Sequence, residues 1–465
     1  MREYRIETTQ FEFLSILSLT IEKEINNHAC TVISGVISDD NADEYQRKLM
    51  DDVWVELSVI DMDENRETIF VGIVAGFTLD CISVEKTLTL KIMSGTWLMD
   101  RCVHFRTFQN GALSYVQVMK AINEGYTDSG VIWIDAAENA ICGLLLQYLE
   151  TDWEFLKRIS SQIGSYVTPA EIHSGAKYYV GGQSRKAVIM PSGIPYSARK
   201  HVGDFMRNSS SGLGSFSELD YLEFIFQSRD LYELWDQVTL DSYTGYIYKI
   251  HSEYSGSELV HTYSLRSELG MSFITAFNQK HIGCSFMAIV EEVKQDVVRV
   301  EVIGDENESQ TDTIWFPYST VYSTPNGPGW YCMPEVGDHV RLHVPSELES
   351  DAYVISAVHM GDSPDRQNPD HKSIKTIYGK ELLMTPDLIR MTNNQGVAIE
   401  IDDNVGIRII SEKDIQIQAA SNITINSEDA SLLMAGTQTV DITQRGASIH
   451  IDDDISFTGA KFRIH

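Results

Sequence analysis

The stretch Ile399–Ile425, reading IEIDDNVGIRIISEKDIQIQAASNITI, repeats itself every eight residues. Ile399 and Ile401 are followed by Ile407 and Ile409, then by Ile415 and Ile417, then by Ile423 and Ile425, with polar and acidic residues in the gaps. Spacing of i, i+2 puts both side chains of a pair on one face of a strand, and the intervening residues suffice for a corner. A helix would need apolar residues three and four apart, so the pattern predicts strand, turn, strand. A unit this short has one small apolar face and cannot bury it alone. Stacked coils, or strands from neighbouring copies of the chain, must close the core.

The pattern extends upstream to Ile389 and Met391. Downstream it passes through Leu432 and Met434, Val440 and Ile442, Ile449 and Ile451, Ile455 and Phe457, and Phe462 and Ile464, at less regular intervals that imply corners of variable length. An antiparallel sandwich of short strands is the alternative, but the tight dipeptide turns of a sandwich are missing. Asp402, Asp403, Glu412, Asp414, Glu428, Asp429 and Asp452 to Asp454 lie between the pairs and are expected on a wet face. Rows of such acids can also collect divalent cations.

At 465 residues, two to four domains are expected. A formal charge of -31 argues against nucleic acid or an anionic membrane surface as partner. The opening MREYRIETTQFEF is no signal peptide, and no apolar stretch approaches the roughly 20 residues of a spanning helix. The chain is expected to be made in the cytoplasm without a signal. Its six scattered cysteines are expected as free thiols.

Residues 1 to about 105 read as strands of a small barrel or curled sheet, with Val53, Val55, Leu57 and Val59 alternating most cleanly. Helices are predicted over 114–124, where Ser114 and Gln117 have capping-box spacing, and over 151–163, where Thr151 and Glu154 do. Trp153 faces the core of the second helix. Asn208 to Ser217 reads as a Ser/Gly-rich exposed loop, and strands resume between 238 and 265. Between 283 and 360 five strand candidates follow: Met287 and Ile289; Val298, Val300 and Val302; Ile314 and Phe316; Val340, Leu342 and Val344; Tyr353 and Ile355. Five short strands with long loops suit a small OB-type barrel. Residues 361–371 hold Pro364 and Pro369 and read as a linker to the repeat region.

Three segments together resemble VgrG proteins and the related hub proteins of contractile phage tails. Gln147, Tyr148, Glu150, Thr151, Asp152, Phe155 and Arg158 match the hub signature "QY.ETD..F..R". Pro317, Gly327, Gly329, Pro334, Gly337 and Asp338 mark turns similar to those of that family's OB barrel. The octad resembles its triple-stranded β-helix needle, with Ile399 to Ile425 as the trimer core.

The resemblance implies a mainly β chain with an α+β hub over 1–275, an OB-fold barrel over 283–360, and an intertwined β-helical needle over 372–465 in a homotrimer. It implies the central spike of a type VI secretion system, a phage tail, a phage-tail-like bacteriocin or a related particle. Tail-tube and baseplate proteins, a PAAR-type tip protein or effector, and the target envelope are the partners it implies; no nucleic acid and no cofactor is expected.

No catalytic or metal site is expected. None of the 13 histidines stands in an HExxH or nucleophile motif. Glu150 and Asp152 precede a helix, where free amides and the dipole would stabilise them. A trimeric β-helical tailspike enzyme acting on polysaccharide or peptidoglycan is the alternative, but its groove would need aromatics beside carboxylates, and the repeat region has few.

Overall fold

The computed structural model describes residues 4–81, 85–133, 138–182, 186–210, 217–241, 243–255, 258–271, 275–307, 310–461 and 463. The chain forms two compact units, Met1–Met360 and Gly361–His465.

Two curled halves of one sheet dominate the first unit. In spatial order its strands are Arg5–Thr8, Trp54–Ile60, Arg66–Asp80, Lys86–Met93, Cys30–Ile37, Ser15–Glu24, Tyr243–Ser255, Glu258–Arg266, Leu222–Ser228 and Tyr196–Lys200, each antiparallel to its neighbour. Gln237–Leu240 pairs off this path with Tyr243–Ser255, and Ala187–Ile189 lies parallel to it. The N-terminal strands are therefore not a separate barrel. Ser15–Glu24 hydrogen-bonds on one side to Cys30–Ile37 and on the other to Tyr243–Ser255, which joins the halves through backbone.

Alternation explains why each half has its own core. Val55, Leu57 and Val59 point inward with Ile33, Phe70 and Leu90 in the first half, while Val238, Ile247, Tyr263 and Trp235 fill the second. Register shifts at Leu57/Ser58, Val74/Gly76 and Ile247/Lys249 bend the long strands over these cores.

A third core lies around the helices Tyr115–Asn123 and Asp152–Gln162. Both begin with a reciprocal capping box, Ser114 with Gln117 and Thr151 with Glu154. The second ends where Gly164 takes φ 71° and Ser165 N donates to Ser160 O at 2.9 Å, a left-handed turn that suits glycine. Trp153 is 1% exposed. A helix over Val202–Ser210 occupies the start of the stretch expected as a loop from Asn208; residues 211–216 lie outside those described.

Residues 285–355 build a partly closed, OB-fold-like barrel. Its strand order is Phe316–Pro317, Val297–Val302, Ser285–Lys294, His339–His343 and Tyr353–Ile355, and a bridge from Tyr318 to Val354 brings the two ends together. Val298, Val300, Val302, Val340, Leu342 and Val344 point inward. Two strands have the opposite phase from the expected one. Ala288 and Val290, not Met287 and Ile289, are buried, as is Val354 rather than Tyr353 and Ile355. Phe286 to Val290 are five consecutive apolar residues, a run that carries no phase of its own.

The second unit contains two antiparallel meanders. Lys372–Lys375, Glu381–Met384, Leu388–Thr392, Val397–Asp402 and Gly406–Ser411 form one; Val440–Gln444, Ala447–Ile451 and Ile455–Thr458 form the other. Residues 412–439, which carry the pairs Ile415 and Ile417, Ile423 and Ile425, and Leu432 and Met434, form no strand within the chain. The expected pair Phe462 and Ile464 lies outside the described residues.

Ser252 and His261 face each other across two strands of this sheet, with Ser252 Oγ 2.6 Å from His261 Nδ1. His261 is 2% exposed, its Nε2 has no partner, and burial, aided by Lys23, pushes its pKa down to about 4. The unfolded chain takes up this proton near the ordinary histidine value of about 6.5, before the folded chain does. Stability from this site is thus complete above about pH 6.5 and is lost as pH falls towards 4, on the order of 3 kcal/mol. Urea unfolding at neutral and acid pH should show a smaller acid loss in His261→Gln than in the wild type; equal losses would contradict this origin.

Candidate functional site: a buried helix–barrel junction and an open apolar sheet face

The residues Gln147 to Arg158 converge on one junction. The strand Leu145–Thr151 is two-faced: Leu144 and Leu146 belong to the barrel core, whereas Leu145 packs with Phe108, Trp153 and Phe155 under the helices. Tyr148 extends the barrel side by packing its ring 5.0 Å from Phe286 and 5.8 Å from Phe105. A register shift between His104 and Phe105 leaves Leu149 as the extra residue of a bulge, at φ 52°. The bulge re-aims the chain just before the helix.

Arg158, 3% exposed, stands at the centre. Its Nε and Nη2 donate to the two oxygens of Glu150 at 2.8 and 2.9 Å, its Nη1 to Glu349 Oε1 at 2.7 Å, and its Nη2 also to Leu146 O at 2.9 Å. Its guanidinium lies 5.0 Å from the centre of the Phe155 ring. Burial pushes Glu150's carboxyl up, against the downward pull of Arg158. Glu349 comes from the barrel, so one cation ties helix, strand and barrel together.

Asp152, 1% exposed, organises a second cluster. Arg106 Nη1 donates to its Oδ1 at 2.6 Å, Gln147 Nε2 to the same oxygen at 2.9 Å, and Tyr126 OH to Oδ2 at 2.6 Å. Burial and this carboxylate push the Tyr126 phenol up strongly. Glu150 and Asp152 are therefore neutralised by side chains rather than by free helix amides; Thr151 and Glu154 do the capping. Thr151 Oγ1 also donates to Asp100 at 2.5 Å, and Asp100 meets His28 Nε2 at 2.7 Å. Burial pushes Asp100 up, but the hydrogen bonds from His28 and Thr151 outweigh it and hold the carboxyl low.

A third contact could not be read from sequence. The strand Val103–Phe108 pairs with Leu145–Thr151 on one edge, and on the other the barrel loop after Val302 supplies side chains in place of a strand. Phe105 N donates to Glu306 Oε1 at 3.0 Å, Thr107 N to Asp305 Oδ1 at 2.9 Å, and Gln109 N to Gln310 Oε1 at 2.8 Å. In return Glu306 N donates to Phe105 O at 3.0 Å, and Gln310 Nε2 to Thr107 O at 2.8 Å. Alternate amides of one edge thus find alternate side-chain acceptors. These partners lie some 200 residues from the strand they serve, and no local pattern announces them.

The barrel turns are ordinary in chemistry and tight in space. Asp338 Oδ2 accepts from Glu335 N at 2.9 Å, Gly337 takes φ 90°, and its N donates to Val290 O at 2.8 Å; Pro334 is buried beside them. Gly327 takes φ 94°, and at Gly329 a Cβ would fall 2.4 Å from Tyr322 O. Pro317 closes the short strand Phe316–Pro317.

In the second unit, strand register places apolar residues in two rows on one sheet face. Met384, Ile389, Ile401 and Ile407 form one row, and Ile374, Leu382, Met391, Ile399 and Ile409 the other. Within the chain these residues stay open, with Ile401 48% and Ile407 72% exposed. The opposite face carries Arg390 and Arg408, 3.4 and 3.5 Å from Glu400. Ile415, Ile417, Ile423 and Ile425 are exposed as well. Among the described residues, no group of three or more His, Cys, Asp or Glu is placed to hold a metal ion, and no helix is long and apolar enough to cross a membrane.

Residues 38–215, less than half of the chain, match the family model of the phage tail baseplate hub (GPD). The E. coli c3393 protein, a component of the type VI secretion system with structural similarity to the T4 bacteriophage tail proteins gp27 and gp5, shares the fold. Its TM-score is 0.55 at 11% identity, covering 76% of this chain and 100% of that one. A chain of the Francisella PdpA-VgrG complex in its lidded form is similar with a TM-score of 0.57 at 11% identity, over 88% of this chain and 80% of that one. In the lidless form the values are 0.56 and 10%, over 88% and 98%. No curated protein matches the chain.

Removing Arg158 strands two buried carboxylates, which typically costs about 3–5 kcal/mol. Arg158→Ala should therefore unfold at markedly lower urea than the wild type. Adding Glu150→Gln and Glu349→Gln should recover part of that loss, because the uncompensated charges go too. No recovery in the triple variant would assign the loss to packing on Phe155 instead.

Proposed function

We propose that the chain is the hub-and-spike subunit of a contractile injection machine and that its role is structural rather than catalytic. The open apolar rows of the second unit carry this reading. Two parallel rows of Ile, Leu and Met on a flat sheet face, with an ionic ladder on the other side, are arranged to be covered on the first face and wetted on the second. Each large side chain fully buried contributes about 1.5–3 kcal/mol, which a lone chain forgoes.

Two further copies of the same chain are the proposed cover. A threefold arrangement brings identical rows together on one axis and offers strand partners to residues 412–439, whose backbone finds none inside the chain. The octad pairs Ile415 and Ile417 and Ile423 and Ile425 then continue the core as an intertwined β-helix. The hub sheet, matched in part by the baseplate hub family and by the folds of the secretion and phage-tail proteins above, faces the tail tube and baseplate. A tip protein or effector would sit at the far end of the needle and meet the target envelope first. On this reading the buried carboxylates of the junction hold domains together and do not transfer protons to a substrate.

Ile401→Asp places three charges in one axial layer and is expected to abolish the trimer, while Arg408→Ala on the polar face leaves it intact. Size-exclusion chromatography with light scattering measures both. A wild-type monomer, or a trimeric Ile401→Asp, would overturn the assembly. Peptidoglycan and polysaccharide hydrolysis assays are expected to be blank, and turnover of either would overturn the structural role.

A further inference from the structure

The geometry points to a binding site for a small polyanion, a phosphate ester or polycarboxylate, in a cavity of about 900 Å³ on the hub sheet. The strands Tyr196–Lys200, Leu222–Ser228, Glu258–Arg266 and Tyr243–Ser255 lie side by side here, and Lys157 reaches the cavity from the helix Asp152–Gln162. A volume of this size is within the range of small-molecule sites.

Its charges are not balanced within the chain. Of the three carboxylates on the wall, Glu24 is paired with Lys249 at 3.2 Å. Glu223, buried, accepts from Tyr248 OH at 2.5 Å and lies 3.0 Å from His201 Nε2; burial pushes it up, but these hydrogen bonds hold it low and ionised. Asp204 lies 3.6 Å from Arg266 Nη2 and 4.0 Å from His201 Nδ1. Each acid is thus already engaged. Among the described residues Arg199 has no ion-pair or side-chain hydrogen-bond partner, and Lys157 feels Asp100 only through space.

Arg266 is held rather than free: its guanidinium lies 4.7 Å from the centre of the Tyr248 ring, and its buried Nε has no acceptor. In a chain of charge -31, which has acids to spare, two cations left without counter-ions and a third only partly satisfied on one concave wall are an anion receptor. Arg199 and Arg266 stand on strands joined through Leu222–Ser228, and Lys157 lines the same cavity, so the fold gathers the three cations around one space before any ligand arrives. The inference does not depend on the spike assignment.

Calorimetric titration of the full chain with inorganic pyrophosphate and with citrate, at ionic strength held constant with chloride, tests the site and separates phosphate from carboxylate chemistry. Saturable binding of at least one is expected, weakened roughly tenfold or more in Lys157→Gln with Arg199→Gln. Arg199→Glu alone, on an exposed edge strand, gives a second variant with the same expected direction. The remote variant Lys48→Gln with Lys86→Gln should bind as the wild type does. Absence of saturable heat with both probes, undiminished binding in the cavity variants, or equal weakening in the remote variant would overturn the site.

Discussion

A guanidinium taken out of water has to be paired, and at Arg158 that requirement fixes three pieces of chain at once. The helix Asp152–Gln162 holds the cation, the strand before it offers Glu150 and the Leu146 carbonyl, and the barrel offers Glu349. A buried ion pair of this kind gives little net stability compared with a well-packed apolar cluster, but a partner withheld is expensive. The consequence is specificity of placement. Any packing of the barrel on the helix and its strand that moves Glu349 away strands a charge, whereas a purely apolar contact of Leu144, Leu146 and Tyr148 on the barrel core would tolerate sliding.

Backbone satisfaction imposes the same discipline on the neighbouring strand. A sheet edge that ends against another domain leaves amides without strand partners, and Asp305, Glu306 and Gln310 meet every second amide from residue 105 to 109 with a side-chain oxygen. Asp305 makes this contact although burial pushes its carboxyl up, a shift that the hydrogen bonds from Thr107 and Asn307 oppose without cancelling. The barrel is thereby joined to the rest of the first unit by an apolar plug, an ion pair and a strand edge, three kinds of contact with different tolerances.

Local patterns in the sequence state local facts well. The Ser114–Gln117 and Thr151–Glu154 spacings are capping boxes whose hydrogen bonds can be drawn from four residues, and Val53 to Val59 alternate because one face of that strand is core. Phase is lost where apolar residues run on without a break, as from Phe286 to Val290, because inside and outside then differ by shape rather than polarity. Ala288 goes in and Met287 does not, since Phe286, on the same face as Ala288, is committed to Phe105 and Tyr148 at the barrel core. The partners of Arg158, Asp152 and the strand edge were illegible for another reason. Glu349 is 191 positions from Arg158 and Asp305 is 198 from Thr107, and no periodicity relates such separations.

The two halves of the molecule handle the same problem in opposite ways. In the first unit the strand edge from 105 to 109 and the buried charges of Arg158 and Asp152 are matched inside the chain, and large cores such as the one around Leu57 and Phe70 close without help. Among the described residues of the second, Ala398 is the buried hydrophobic one, and the isoleucines that follow it from Ile399 to Ile425 stay open. A sheet whose ionic ladder is complete, Arg390 to Glu400 to Arg408, while its apolar rows are bare has one side finished and one side waiting. The pairing register keeps those rows aligned from one strand to the next: Met391 lies opposite Ile399 and Ile399 opposite Ile409, Ile389 opposite Ile401 and Ile401 opposite Ile407. On the proposed assembly the cover is another copy of the same rows, which has the same spacing by construction.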